Sequence, residues 1–308
     1  MTDRNTNHII DPIPVAELKK ELTEERLVRK TNKGDNSVYV VNHHNSPNVM
    51  REIGRLRELT FTLAGGGTGK EVDIDDRDTA ENCYEQLIVW NEEDQVISGG
   101  YRFFDCAKAS DDQHELSTAH YFNFSDRFIK EYLPYSIELG RSWVHPQFQP
   151  SVNPRKGLFA LDNLWDGLGA IVRLYPHMKY FFGKVTMYEN YSHEAKRAVL
   201  GFMSTYFPDN EKLAWPKKAI YTKAAEHEIV QLVKGLDFKE GLKELQKYCR
   251  EQDENIPPLI NNYMQLSPTM KSFGTAENPD FGGVEETGIL VTVADIYDFK
   301  KERHLDGI

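Results

Sequence analysis

The chain predicts an α/β fold, because helix-spaced and strand-spaced apolar runs follow one another along most of its 308 residues. Three stretches carry that reading. SPNVMREIGRLRELTFTLA opens on Ser-Pro and repeats Val49, Ile53, Leu56 and Leu59 at helical spacing, which predicts an amphipathic helix. YEQLIVWNEEDQVISGGYRFF sets two apolar runs around Asn91, Glu92, Glu93 and Asp94, which predicts a hairpin. FALDNLWDGLGAIVRLYP has helical spacing stopped by Pro176, and HMKYFFGKVTMY then reads as a buried strand.

The other elements follow in order. After an unpatterned tail, VAELKKELTEERLVRK is helical in spacing, and KTNKGDNSVYVVNHHNS is a turn leading into a short strand. GGGTGKEVDIDDRDTAENC is a glycine-rich loop with an acidic run. Residues 105–120 form a polar surface excursion, SDRFIKEYL is helical, and YSIELGRSWVHPQFQ is a strand with one slip in its alternation. PSVNPRKGL is a loop before the helix that Pro176 ends. SHEAKRAVLGFMSTYF is a helix, and KAAEHEIVQLVKGLDFKEGLKELQKYCREQ is a longer helical region broken near Gly235 to Gly241. The last part supplies a short helix in IPPLINNYMQL, a glycine-rich loop and a final strand. No internal repeat and no linker of low complexity appears, which favours one domain (46–308) behind an N-terminal extension (1–45).

Bulk properties exclude several classes of function. Hydrophobic residues make up 40% of the chain, enough for a substantial core, yet the longest apolar runs are far too short to span a bilayer. The N-terminus lacks the apolar stretch of a secretory signal. Cys83, Cys106 and Cys249 are scattered without metal-like spacing, and together these features predict a cytoplasmic setting. A net charge of −11 argues against nucleic-acid binding, although Arg141, Arg155 and Lys156, and again Lys300, Lys301 and Arg303, form local basic patches.

Several motifs invite chemistry. AGGGTGKE resembles a phosphate loop, but Ala64 holds the first glycine position and Glu71 stands where a magnesium-binding hydroxyl belongs. Asp73, Asp75, Asp76 and Asp78 follow and would repel a triphosphate. These carboxylates are spaced like oxygen ligands, but no bidentate Glu follows at calcium-loop distance, so no metal is expected. A third reading has them attract a substrate amine. In YSIELGRSWVHPQFQ, Glu138 could accept a proton from an amine, and Arg141 could pair with it or with a substrate carboxylate. An ordinary Glu–Arg pair on an edge strand explains the same residues equally well. Arg155, Lys156 and Gly157 lie where a loop opens into a helix, a setting that offers free N–H groups and cations to an anion.

On LVRKTNKGDNSVYVVNHHNSPNVMREIGRLRELTF, GGGTGKEVDIDDRDT, YEQLIVWNEEDQVISGGYR, IELGRSWVHPQFQ and IPPLINNYMQL with NPDFGG, the chain resembles the GNAT acyltransferase superfamily. Within it the likeness is to the branch named for hemolysins, related to the ornithine- and glycine-lipid N-acyltransferases, with acyl-homoserine lactone synthases as cousins. The resemblance implies a GNAT fold, a mixed twisted sheet flanked by helices, with IELGRSWV and YFFGKVTMY as its two splayed central strands. It implies transfer of a fatty or 3-hydroxyfatty chain from acyl carrier protein, or from coenzyme A, to the amino group of glycine or ornithine in aminolipid synthesis, with no tightly bound cofactor. It also allows peripheral contact with the inner face of a membrane. By position it assigns Glu138 as base, Arg102 and Arg141 as carboxylate clamps, and Asp75 and Asp78 to the acceptor side. Arg155, Lys156 and Gly157 would meet the donor; Pro154, Gly157 and Phe159 replace the usual donor-loop residues. Tyr263 and Met264 would line the acyl tunnel. A lactone-forming signal synthase and a non-catalytic acyl-binding module are the alternative readings.

Overall fold

The computed structural model describes residues 5–149, 152–220, 223 and 227–304. Along the chain the elements are α1 (Val15–Glu21), β1 (Leu27–Lys30), β2 (Ser37–Val41), α2 (Pro47–Ala64), α3 (Asp76–Thr79), β3 (Glu85–Asn91), β4 (Val96–Asp105), β5 (Phe122–Phe124) and β6 (Ser136–Val144). There follow α4 (Pro154–Leu174), β7 (Tyr180–Met187), α5 (His193–Tyr206), β8 (Ala214–Pro216), β9 (Ala219–Ile220), α6 (Glu228–Leu232), α7 (Phe238–Glu251), α8 (Pro258–Met264), β10 (Lys271–Asn278), β11 (Val284–Thr292) and α9 (Asp298–His304). They divide into two compact units. One holds 1–108, 137–178 and 298–308, the other 109–136 and 179–297.

In the first unit, β1, β2, β3, β4 and β6 form consecutive antiparallel pairs. β3 and β4 are buried almost throughout, as the two apolar runs of the hairpin require. Glycines let the sheet pack closely. A Cβ on Gly99 would lie 2.8 Å from the Trp143 carbonyl oxygen, and one on Gly100 would lie 2.8 Å from that of Leu87. The proposed extension (1–45) contributes β1 and β2 to this sheet. LVRK is a strand rather than the end of a helix. Gly34 and Asp35 at positive φ turn the chain so that β1 pairs with β2, and that pairing outweighs helical propensity.

In the second unit, β7, β11, β10 and β9 run antiparallel in that order, and β5 pairs with β8. Sequence reading placed β10 in a loop. Its polar residues and Gly274, at φ 86°, hide a strand that forms only because β11 and β9 flank it. Phe124, Phe128, Phe182 and Phe273 pack ring on ring in the core of this unit. Among the described residues no helix is long and apolar enough to cross a membrane.

Candidate active site

The first unit gathers a buried cluster of charge on one face of its sheet. Antiparallel pairing sets Gln86, Arg102 and Gly140 side by side across β3, β4 and β6, and Phe104 beside Glu138 two pairs further along. Opposed residues share a face, so Arg102 and Glu138 project to the same side. Residues three apart in an unbroken strand point to opposite faces, which would part Arg141 from Glu138. The slip in the alternation removes that conflict. Gly140 faces Arg102 and Trp143 faces Gly100, so Arg141 and Ser142 together oppose Tyr101. Arg141, at φ 47°, is the left-handed residue of this β-bulge.

The acidic run supplies the counter-charges. Asp75 caps α3, accepting from the Arg77 N–H at 3.0 Å, while the Asp78 carboxylate accepts from the Asp75 N–H at 3.1 Å. That reciprocal cap turns both carboxylates toward the sheet. Arg102 Nη1 donates to both Asp75 oxygens at 2.9 Å and to Asp78 at 3.3 Å. Arg57, wholly buried on α2, donates from Nε to Asp73 at 3.0 Å and from both Nη atoms to Asp78 at 3.3 Å. Arg141 closes the chain of pairs, with Nε 2.8 Å from Asp73 and Nη2 donating to it at 3.2 Å. Gln86 donates to Asp78 at 3.1 Å. The Tyr84 hydroxyl donates to Glu138 Oε2, and both side chains are buried.

Electrostatics follow from that geometry. Burial alone would raise Asp73, but Arg141 and Arg57 outweigh it and hold its carboxyl below the ordinary range. Asp75 is pulled down the same way, against burial, by Arg102 first and then Arg57. Arg102 is pushed up despite burial by Asp78 and Asp75. Three guanidinium groups thus stand among four carboxyl groups, a balance that favours a cation arriving beside Glu138. Solvent reaches only two members appreciably. The Asp75 side chain is 28% exposed and that of Arg141 16%, against 1% or less for Arg57, Asp73, Asp78 and Arg102.

The glycine-rich loop does bind an anion, but an internal one. Glu58, buried on α2, accepts from the N–H groups of Thr68 and Gly69 at 2.9 and 2.8 Å and from the Thr68 hydroxyl at 2.7 Å. Gly67 needs its φ of 94° there, since a Cβ would come within 2.6 Å of Thr62 Oγ1. Arg57 and Glu58 therefore tie α2 to both ends of residues 65–78, and with them Asp73, Asp75 and Asp78 are set against the sheet.

Of the residues singled out in the sequence, Glu138, Arg141, Arg102, Asp75 and Asp78 come together here. Arg57, Tyr84 and Gln86 were missed. Arg57 looks like one more polar position on an amphipathic helix, and the polar alternation of Tyr84 and Gln86 at the start of β3 was the only signal for them. Arg155, Lys156 and Gly157 do not lie in an open loop, because α4 begins at Pro154. Asn153 caps it, accepting from the Lys156 N–H at 3.1 Å, and the Gly157 N–H reaches the Asn153 carbonyl at 2.8 Å. Those donors are thereby occupied, and Lys156 Nζ pairs with Asp94 at 2.6 Å. The Arg155 side chain lies outside the described residues. Tyr263 and Met264 belong to the second unit, buried on α8. Asp112 and His114, exposed, and Glu115, half-buried, stand within metal-ligating distance of one another on the 105–120 excursion, where Ser110 bonds each of them.

The family comparison falls on this region. Residues 56–155, from α2 through the cluster to the start of α4, match the acetyltransferase (GNAT) domain. The chain is 51% identical over 304 residues to the glycine N(α)-acyltransferase of Bacteroides thetaiotaomicron, covering 96% of this chain and 89% of that protein. It is 50% identical over 302 residues to the glycine N(α)-acyltransferase of Phocaeicola vulgatus, covering 97% and 93%. Among solved structures, FeeM, an N-acyl amino acid synthase from uncultured soil microbes, aligns over 84% of this chain and 93% of its own with 9% identity and a TM-score of 0.38, too remote to bear on the site. Half of all positions shared over nearly the whole length of both proteins is decisive: the chain belongs to the GNAT acyltransferases, in the family of the glycine N(α)-acyltransferases.

Proposed function

We propose that this enzyme transfers a fatty acyl group from a thioester donor to the amino group of glycine, the first step toward an N-acyl aminolipid. The observation that carries the reading is the near-complete alignment with two glycine N(α)-acyltransferases. The cluster supports it from the chemistry side. Its two solvent-accessible members carry opposite charges, matching a small zwitterion: the Asp75 carboxylate suits the ammonium of glycine and the Arg141 guanidinium its carboxylate.

Glu138 is the base. It removes one proton from the ammonium group, and the amine attacks the thioester carbonyl directly. The C–N bond forms, the C–S bond breaks, the thiolate takes up a proton, and the nitrogen keeps a single hydrogen in the amide. Backbone N–H groups polarise the carbonyl. Asp73 and Asp78 do not touch substrate in this reading; they hold Arg57, Arg102 and Arg141 in place. Acyl carrier protein is the proposed donor, with Arg155 and Lys156 as part of its landing site on an otherwise acidic chain. Coenzyme A thioesters are the other donor class.

The test is release of free thiol from an acyl carrier protein thioester and from the matching coenzyme A thioester, each with glycine, ornithine and a panel of other amino acids. Glycine-dependent release with appearance of N-acylglycine supports the reading. Preference for another amino acid, or release with no acylated amine, refutes it.

A further inference from the structure

A buried carboxylate that must act as a base needs a fixed orientation and a fixed affinity for its proton, and both depend on what touches it. The groups facing Glu138 come from several elements: Tyr84 before β3, Arg102 on β4, Cys106 just beyond β4, and, one shell further, Asp75 and Asp78 from α3 and Arg141 in the bulge of β6. Cys106 is no donor of consequence, since burial and then the charge of Glu138 push its thiol well above its ordinary range, and its sulfur turns to the Phe104 carbonyl. Arg102 spends Nη1 on Asp75 and Asp78. Tyr84 is different. Its hydroxyl donates to Glu138 Oε2, its ring lies 5.0 Å from the Arg102 guanidinium carbon, and Phe104 packs against it with ring centroids 5.0 Å apart. The phenol thus stands between the arginine–aspartate cluster and the carboxylate. A cation over the ring face draws electron density from the phenol and strengthens its O–H as a donor.

We propose that Tyr84 is a positioning residue for this acyl transfer: its hydroxyl holds the Glu138 carboxylate in the orientation that meets the incoming ammonium group. The proposal rests on Glu138 as base. A hydrogen bond donated to the ionised form of a carboxylate favours that form. Removing the donor takes that support from the ionised carboxylate, so activity on the acid side should fall and the alkaline side stay untouched. A ring that only filled space would move neither limb.

The experiment is the pH profile of kcat/KM for glycine in the parent, Tyr84→Phe, Phe104→Leu and Glu138→Gln, each checked for folding by thermal melt. Tyr84→Phe keeps the ring and its contact with Arg102 and deletes one hydroxyl. The acid limb should shift up by about one pH unit, the effect of one hydrogen bond to a charged carboxylate, and the rate should fall about tenfold on that limb. Phe104→Leu disturbs the packing around the ring but keeps the hydroxyl, so its acid limb should stay where the parent's is. An unmoved acid limb in Tyr84→Phe, or an equal shift in Phe104→Leu, overturns the positioning role while Glu138→Gln remains inactive. An active Glu138→Gln removes the premise instead, and the two failures are told apart by that variant alone.

Discussion

Asp73 links two guanidinium groups, since Arg57 and Arg141 both end on it. Asp73→Asn keeps the shape and leaves the buried Arg57 and the half-buried Arg141 short of charge, so stability should fall by about 3 kcal/mol, measured by urea unfolding. The pH dependence has a definite sign. Asp73 and Asp75 are depressed in the folded protein, so their contribution is fully present above the unfolded carboxylate value, about 4, and is lost as pH falls through the folded values. The parent should therefore lose stability steeply below pH ~4, and Asp73→Asn should lose less over that range. On the substrate side, Asp75→Asn and Arg141→Lys should each raise the KM for glycine roughly tenfold or more and leave the KM for the acyl donor nearly unchanged. Equal effects on both substrates would remove these residues from the acceptor site. The sequence marks Glu138 and Arg141 as odd polar residues on a strand. That the bulge brings Arg141 to the side of Glu138 depends on a φ of 47° which no spacing announces.

At the scale of elements, the glycine-rich loop shows a pattern that was legible with an occupant that was not. Gly-rich turns present N–H groups to anions, and here the anion is Glu58, about two turns before the loop on α2. Glu58→Ala should cost about 2 kcal/mol by removing the charged acceptor of the half-buried Thr68 and the exposed Gly69 donors, and should open residues 65–72 to limited proteolysis. An intact, protease-resistant loop in that variant would show that Glu58 merely occupies the turn. Helix α8 offers a second test. Its apolar residues were legible as one helix face, and Tyr263 and Met264 are buried there. If that face ends an acyl tunnel, Met264→Trp should shift preference toward shorter donors, about tenfold for two carbons at about 0.8 kcal/mol per methylene. An unchanged chain-length profile in the folded variant assigns α8 to core packing alone. Strand β10 marks the limit of periodicity: its partners, not its own residues, make it a strand.

The whole molecule interleaves two units from four internal crossings of the chain, which is why no linker marks them in the sequence. The reacting groups assigned above all fall in the first unit, which holds residues 56–108 and 137–155 of the GNAT match. The fold class was legible because amphipathic helices and apolar strands keep their periods whatever they pack against. The resemblance narrowed the proposed acceptor to glycine or ornithine, and no residue of the sequence chose between them, because both offer the same ammonium and carboxylate. The most direct measurement is therefore product formation from isotopically labelled glycine and a fatty acyl thioester, followed by mass spectrometry in the parent and in Glu138→Gln. The account predicts labelled N-acylglycine from the parent, and a rate roughly two to four orders of magnitude lower at neutral pH from a folded Glu138→Gln. No labelled product from the parent, or a Glu138→Gln rate within a few-fold of it, would contradict the account.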